Sequence, residues 1–142
     1  MTPPVGPAMF AWRGTFTNRD VNHLHAEAFE TRVFDDDEWN WLDLTERHSL
    51  GWVTARRQGI LVGFVNVIWD GFVHAWLQDL MVARGSRRQK IGVGLVDAAR
   101  AGAAAAGCEY LHVDFEEEMR SFYVDACGFE PTGGGIMLLN ES

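Results

Sequence analysis

Between Gly51 and Phe115 the hydrophobic period of the sequence changes from strand to helix and back, and those changes limit the folds open to the chain. Gly51–Arg57 alternates, and Gln58-Gly59 turns the chain. Ile60–Trp69 is apolar and β-branched, and Asp70-Gly71 is a hairpin signal. Phe72–Val82 completes three strands in close order. The period then shifts to that of a helix over Ile91–Ala106. Ile91, Leu95, Ala99 and Ala103 form one stripe with Val96 beside it, and Gly107 stands where a C-cap glycine belongs. Tyr110–Phe115 is again strand-like. An antiparallel meander that feeds a strand–helix–strand unit predicts a mixed α/β sheet, with a right-handed parallel crossover from Phe72–Val82 to Tyr110–Phe115.

The flanks add smaller elements. Residues 1–8 hold three of the four prolines and read as a loose tail. Phe10–Thr15 reads as a short strand. Asn18 is placed to cap a helix through Phe29, with Val21, Leu24 and Ala28 on one face. The acidic run Asp35–Glu38 reads as the solvated start of a second short helix carrying Trp39, Trp41 and Leu42. Its alternative role is a lip that attracts a cationic substrate. Glu117–Ala126 reads as a further helix, and Phe129–Leu139 as two short strands around Gly133-Gly134-Gly135. At 142 residues the chain fits one domain, residues 1–142, with enough length to bury a core.

Charge and cysteine usage exclude several classes. The formal net charge of −8 argues against a general nucleic-acid surface and favours cationic partners. No run of 18 apolar residues predicts a membrane span, and the first residues lack the pattern of a signal peptide. Two cysteines give neither a disulfide framework nor a Cys-x-x-Cys pair. A cytoplasmic protein is the simplest expectation. His23, His25 and His48 have no partners at metal-ligand spacing, so no metal is expected.

Against that acidic background, Arg84, Arg87, Arg88 and Lys90 fall within seven residues, a third of the chain's 12 Lys and Arg. They sit where a strand runs into a helix, among Gly85, Gly92 and Gly94. Amides at a helix N-terminus with cations around them suit a phosphate or pyrophosphate. The spacing is not that of a P-loop, and Asp97 breaks a dinucleotide fingerprint. On physical grounds alone, a plain solvated basic turn fits equally well.

Val82-Ala-Arg-Gly-Ser-Arg-Arg-Gln-Lys-Ile-Gly92, entered from Leu80-Met81-Val82, resembles the acetyl-CoA loop of the GNAT N-acetyltransferase superfamily. That loop reads Val-x-Pro-x-x-Arg-x-x-Gly-x-Gly/Ala. Phe122-Tyr123, followed by Gly128-Phe129, resembles the family's Phe-Tyr-x-x-x-Gly-Phe signature. Arg87 and Gly92 match without gaps. Lys90 stands where the family has its middle glycine, and Arg84 where it has proline. A register shifted onto Gln89-Lys-Ile-Gly92-Val-Gly94 would need a loop two residues longer; the ungapped register is preferred because Ile91-Gly92 then starts the helix where the family starts it. The resemblance implies a GNAT-like mixed central sheet flanked by helices. It places Leu80, Met81 and Val82 along the pantetheine arm of acetyl-CoA. It places Arg87, Arg88, Gln89, Lys90, Ile91, Gly92, Val93 and Gly94 around the pyrophosphate.

The implied reaction is acetyl transfer from acetyl-CoA, as cosubstrate, to a primary amine of a small molecule or peptide. Tyr123 is the candidate acid for the leaving thiolate, and a tyrosine packed in the core beside Phe122 is its alternative. The family's tyrosine column falls on Val124, so a one-residue bulge or a shorter helix is needed to re-aim Tyr123. For the base, His74 acting through a water is one reading and a surface histidine is the other. Trp76 and Gln78 share its face, with Asp79 opposite unless a bulge intervenes. The backbone N–H groups of Leu80–Val82 are the expected oxyanion donors, and Glu116–Glu118 read as charges at a helix N-terminus. The rivals are a non-catalytic acyl-CoA-binding domain and a nucleic-acid-binding module. Neither nucleic acid nor membrane is an expected partner, and the resemblance leaves room for a homodimer.

Overall fold

The computed structural model describes residues 6–87 and 90–140. Its elements in chain order are β1 Met9–Trp12, α1 Asn18–Phe29, α2 Trp41–His48, β2 Ser49–Arg57, β3 Ile60–Trp69, β4 His74–Val82, α3 Ile91–Ala105 and β5 Tyr110–His112. Short 3₁₀ turns lie at Arg84–Ser86 and Glu117–Met119, and a π-helical turn spans Ser121–Ala126. The strands form one mixed sheet in the order β1-β2-β3-β4-β5. Only the β4–β5 pair is parallel. The meander and the crossover thus stand as the sequence pattern predicts. None of the described helices is long and apolar enough to cross a membrane.

Each face of the sheet has its own core. Under α3, Val53, Ala55, Val62, Val65, Val67, Ala75 and Leu77 meet the stripe of Ile91, Leu95, Ala99 and Ala103. On the other face, Val21 and Leu24 of α1 and Trp41 of α2 close over Phe16, Phe64 and Met81. Glycines in α3 cost helix propensity, yet here they admit large rings. A Cβ at Gly94 would lie 2.2 Å from the Phe10 ring, and one at Gly102 would lie 2.4 Å from the Trp12 ring. Trp12 also covers Gly51 of β2, so β1 is pinned between the sheet edge and α3.

Three asparagines join α1 to α2. Thr17, rather than Asn18, caps α1, and its hydroxyl accepts from the Asp20 amide at 3.0 Å. Asn18 in the first turn instead accepts from the Leu42 amide at 2.9 Å and donates to Asn40 at 2.9 Å. Asn40 caps α2 through the Asp43 amide. Asn22, 1% exposed, accepts from Trp41 Nε1 at 2.8 Å and donates to the Trp39 carbonyl at 3.2 Å. The acidic run does not start α2. Asp35 accepts from the amides of Asp37 and Glu38, and Glu38 pairs with Arg32, so these acids fold into their own turn.

The C-terminal third departs from its sequence pattern. β5 ends at His112 instead of Phe115, because only Tyr110–His112 find partners on β4. Glu117–Ala126 is not a continuous α-helix but a 3₁₀ turn followed by a π turn. Phe129–Leu139 forms no strand. Pro131 lacks an amide, and Gly133–Gly135 offer no side chains for cross-strand packing, so nothing draws the segment into the sheet. Ile136–Leu139 are left 77–91% exposed.

Replacing Asn22 by leucine leaves the Trp41 indole N–H buried without an acceptor. The Asn22→Leu variant is expected to lose about 1–3 kcal/mol, measured as a lower urea midpoint. An unchanged midpoint would show that the pair adds nothing to stability.

Candidate active site

β4 and β5 pair only through His74↔Tyr110, Ala75↔Leu111 and Trp76↔His112. Beyond that point β4 continues on β3 as far as Val82, while β5 has ended. One edge of Leu77–Val82 therefore faces a cleft with its backbone groups unpaired by β5. Two cavities lie along this cleft, and Leu80 lines both.

The larger cavity, about 800 Å³, is lined by Leu80, Met81 and Val82 of β4, by Arg87 and Lys90 of the loop, and by Ile91, Gly92 and Val93 of α3. The sequence reading missed Ala28 and Phe29 of α1, and Glu118, Met119 and Phe122 after β5, which line it too. Only Phe122 falls in a quoted motif, and there beside Tyr123 with no part given to it at this cavity; the other four carry no motif, since only the tertiary fold brings them in. Arg88 and Gln89 lie outside the described residues. Gly94 faces away from the cavity, toward Phe10, and its amide donates to the Lys90 carbonyl at 3.1 Å.

At the start of α3 the amides of Ile91, Gly92 and Val93 have no intrahelical acceptor, and among the described residues no side chain caps the helix. Lys90, which precedes them, has φ +62° and lies in the left-handed region. That region favours glycine, which is why a glycine suits this column of the loop signature. The lysine adopts the same backbone at a cost of roughly 1–2 kcal/mol. The loop is strapped to α1 by its arginines. The Arg84 amide donates to Glu27 at 2.7 Å, its guanidinium pairs with Glu30, and Arg87 donates to the Ala28 carbonyl at 2.8 Å. These arginines supply the cations that the last turn of α1 lacks.

The smaller cavity, about 200 Å³, is lined by Leu77, Gln78, Asp79, Leu80, Val113, Asp114, Tyr123 and Ile136. Tyr123 is 7% exposed and packs on Phe115, Phe122 and Phe129. Its segment carries the extra residue per turn of a π-helix. The Cys127 amide reaches the Phe122 carbonyl at 3.0 Å, and the Phe129 amide reaches that of Tyr123 at 3.0 Å. Burial, with Cys127 adding to it, pushes the Tyr123 hydroxyl up to about 12.

Asp79 reaches the cavity through a β-bulge. Asn66 pairs with Gln78 and Phe64 with Met81, so Val65 alone faces Asp79 and Leu80. Asp79 takes φ +60°. Leu77 and Leu80, three apart, both pack into the core under α3, which leaves Gln78 and Asp79 to the other face. The strand alternation alone put Asp79 on the wrong side. Burial raises its carboxyl above the usual range, and His25 of α1 opposes that shift.

The structure does not bring His74 to Tyr123. His74 lies five residues before Asp79, on the order of 15 Å along the strand. Its Nδ1 is 2.8 Å from His112 Nε2, and its ring stacks on Tyr110. Among the described residues no three His, Cys, Asp or Glu side chains cluster as metal ligands.

Residues 18–129 match the family model described as the acetyltransferase (GNAT) family. No curated protein matches the sequence. Among solved structures, a GNAT family acetyltransferase from Streptococcus pneumoniae superposes with TM-score 0.74 at 23% identity, covering 96% of this chain and 100% of that one. AAC(6')-Iy, solved with the bisubstrate analogue CoA-S-monomethyl-acetylneamine, gives TM-score 0.75 at 16% identity, covering 96% and 100%. Glucosamine-6-phosphate N-acetyltransferase from Arabidopsis thaliana gives 0.72 at 14% identity, covering 94% and 99%. At these identities the likeness shows the fold.

A carboxyl whose pKa is raised by folding favours the protonated native state, so its ionisation destabilises the protein as pH climbs through that value. Asp79→Asn is therefore expected to melt above the wild type at pH 7. The difference should shrink as the pH falls and vanish below the ordinary carboxylate range, where Asp79 is protonated in the folded and unfolded chain alike. Thermal denaturation across that range checks it, and a pH-independent difference would contradict it.

Proposed function

The chain belongs to the GNAT acetyltransferase family, and from that premise we propose that it transfers an acetyl group from acetyl-CoA to a primary amine of a small molecule or peptide. One observation carries the reading. The unpaired edge of β4 joins a helix-N-terminal cavity large enough for a phosphate-bearing ligand to a smaller cavity holding a carboxyl and a tyrosine.

The residues fit acetyl-CoA as a cosubstrate. The amides of Ile91, Gly92 and Val93 suit the pyrophosphate, with Arg87 and Lys90 beside them. The free edge of Leu80–Val82 suits the amide-bearing pantetheine arm, and a backbone N–H there suits the carbonyl oxygen as it gains charge. Bound acetyl-CoA supplies the thioester.

Asp79 and Tyr123 divide the proton chemistry. An amine enters as its ammonium and must lose a proton before it attacks. Asp79 accepts that proton, and burial makes its carboxylate a stronger base than an exposed one. Tyr123 stays protonated across the neutral range and donates to the departing sulfur, and the second proton that the nitrogen sheds as the C–S bond breaks restores its hydroxyl. Asp114 at the rim adds negative charge that favours a cationic acceptor. Asp79 replaces His74 as the proton acceptor, because His74 is tied to His112 and Tyr110. The free thiols Cys108 and Cys127 suit a cytoplasmic setting.

Release of free thiol from acetyl-CoA in the presence of a panel of primary amines tests the reading. CoA binding with no thiol released for any amine would favour a non-catalytic acyl-CoA-binding domain. Tyr123→Phe is expected to lower kcat by about 10²-fold while KM for acetyl-CoA stays within about twofold. A kcat equal to the wild type would remove Tyr123 from the chemistry.

A further inference from the structure

Ile136 lies on the irregular tail, yet it lines the smaller cavity together with Asp79 and Tyr123. It belongs to neither core of the sheet and is 83% exposed, so packing on the fold does not account for its place. Its apolar neighbours Met137, Leu138 and Leu139 line neither that cavity nor the larger one.

A third cavity, about 470 Å³, adjoins the smaller one. Its walls include the Trp76 and His112 rings, stacked with centroids 4.9 Å apart, and the carboxylates of Asp114 and Glu130. Val113 and Asp114 line both it and the smaller cavity, whereas it shares no lining residue with the cavity at the start of α3. The three spaces therefore run in series, with the small one in the middle. A thioester that arrives from the α3 end leaves the third cavity for the body of the acceptor.

Gly134 and Gly135 line the third cavity, and a Cβ at Gly135 would meet nothing within 4 Å. The tail leaves that side of the junction bare and then presents, in the next residue, a branched apolar side chain at the reaction cavity. At about 200 Å³ that cavity has room on the order of seven waters. With the acetyl group and its sulfur in place, an amine nitrogen and the carbon that bears it take up what is left.

We infer that Ile136 is a specificity-determining residue. It admits an amine on an unbranched methylene, such as the end of an aliphatic diamine or of a lysine side chain. It turns away an amine on a branched carbon, such as the α-amine of a peptide. The inference rests on the acetyltransferase reading. A second substituent on the amine-bearing carbon competes with the Ile136 side chain for space, whereas a single chain leaves past Asp114 into the third cavity. There Asp114 and Glu130 favour an acceptor body with a further positive charge. Arg120, the arginine in that wall, is already held by Glu117 at 2.9 Å.

Thiol release from acetyl-CoA with matched isomeric acceptors tests this. One pair is n-butylamine against sec-butylamine. The other is lysine amide acetylated at its α-nitrogen against the same amide acetylated at its ε-nitrogen. The wild type should favour the unbranched amine of each pair in kcat/KM. Ile136→Ala, which cuts the side chain back to Cβ, should raise kcat/KM for the branched amine about tenfold and leave the unbranched one within about twofold. Ile136→Trp should lower both by about tenfold or more, while KM for acetyl-CoA stays within about twofold. Because the residue is exposed, both variants should keep the wild-type thermal midpoint, so that a changed ratio reports on the site. A ratio that Ile136→Ala leaves unchanged, or a wild type that favours the branched amines, would overturn the inference while acetyl transfer stood. A wild type that binds CoA but releases no thiol with any amine would refute the acetyltransferase reading, and the inference with it.

Discussion

The parting of β4 from β5 after Trp76 and His112 governs the rest of the molecule. Parallel strands that stayed paired to their ends would close the sheet and bury the edge of Leu77–Val82. Because β5 stops, that edge keeps amides and carbonyls that β5 does not pair, beside the two cavities. The bulge at Asp79 falls in this same stretch. It lets one strand supply apolar residues to the core under α3 and a carboxyl to the opposite side. Cleft, carboxyl placement and core packing are thus one local departure from regular pairing.

The loop that follows works differently from what its composition suggests. A run of cations in an acidic protein invites the idea that all of them face a phosphate. Arg84 reaches across to Glu27 and Glu30 at the C-terminal end of α1, and Arg87, which lines the cavity, also donates to the Ala28 carbonyl there. They hold the loop against α1, and the backbone amides of Ile91–Val93 are left without intrahelical acceptors. Lys90 pays for its place with a left-handed backbone.

The fold was largely legible in the sequence where local signals and tertiary demands agreed. The two hairpin turns, the stripe of α3 and Gly107, which takes φ +97°, all agree with the structure. It was less legible where an element depends on a distant partner. Phe129–Leu139 has the apolar residues of strands, but strand formation needs a neighbour, and β5 offers only three paired residues to β4. The acids of Asp35–Glu38 suit a helix start, yet Asn40 has the better cap geometry and takes it. In the site, the motif residues of β4 and α3 came from the loop signature. Asp79 did not; strand alternation puts it on the opposite face, and the sequence allowed it the site's face only through a bulge, which only the pairing with β3 reveals. Tyr123 lay between these cases: its one-residue offset implied an irregular turn, and the segment is π-helical.

The fit of Phe10 and Trp12 onto Gly94 and Gly102 has a mechanical consequence. β1 is the outermost strand, separated from the cleft by three others. Yet its two rings sit in the back of the helix whose first turn carries the free amides. The edge strand acts as a keel for α3, setting the helix's rotation about its own axis and so the direction in which Ile91, Gly92 and Val93 point. The far margin of the sheet thereby sets the aim of the helix's N-terminal amides without touching them.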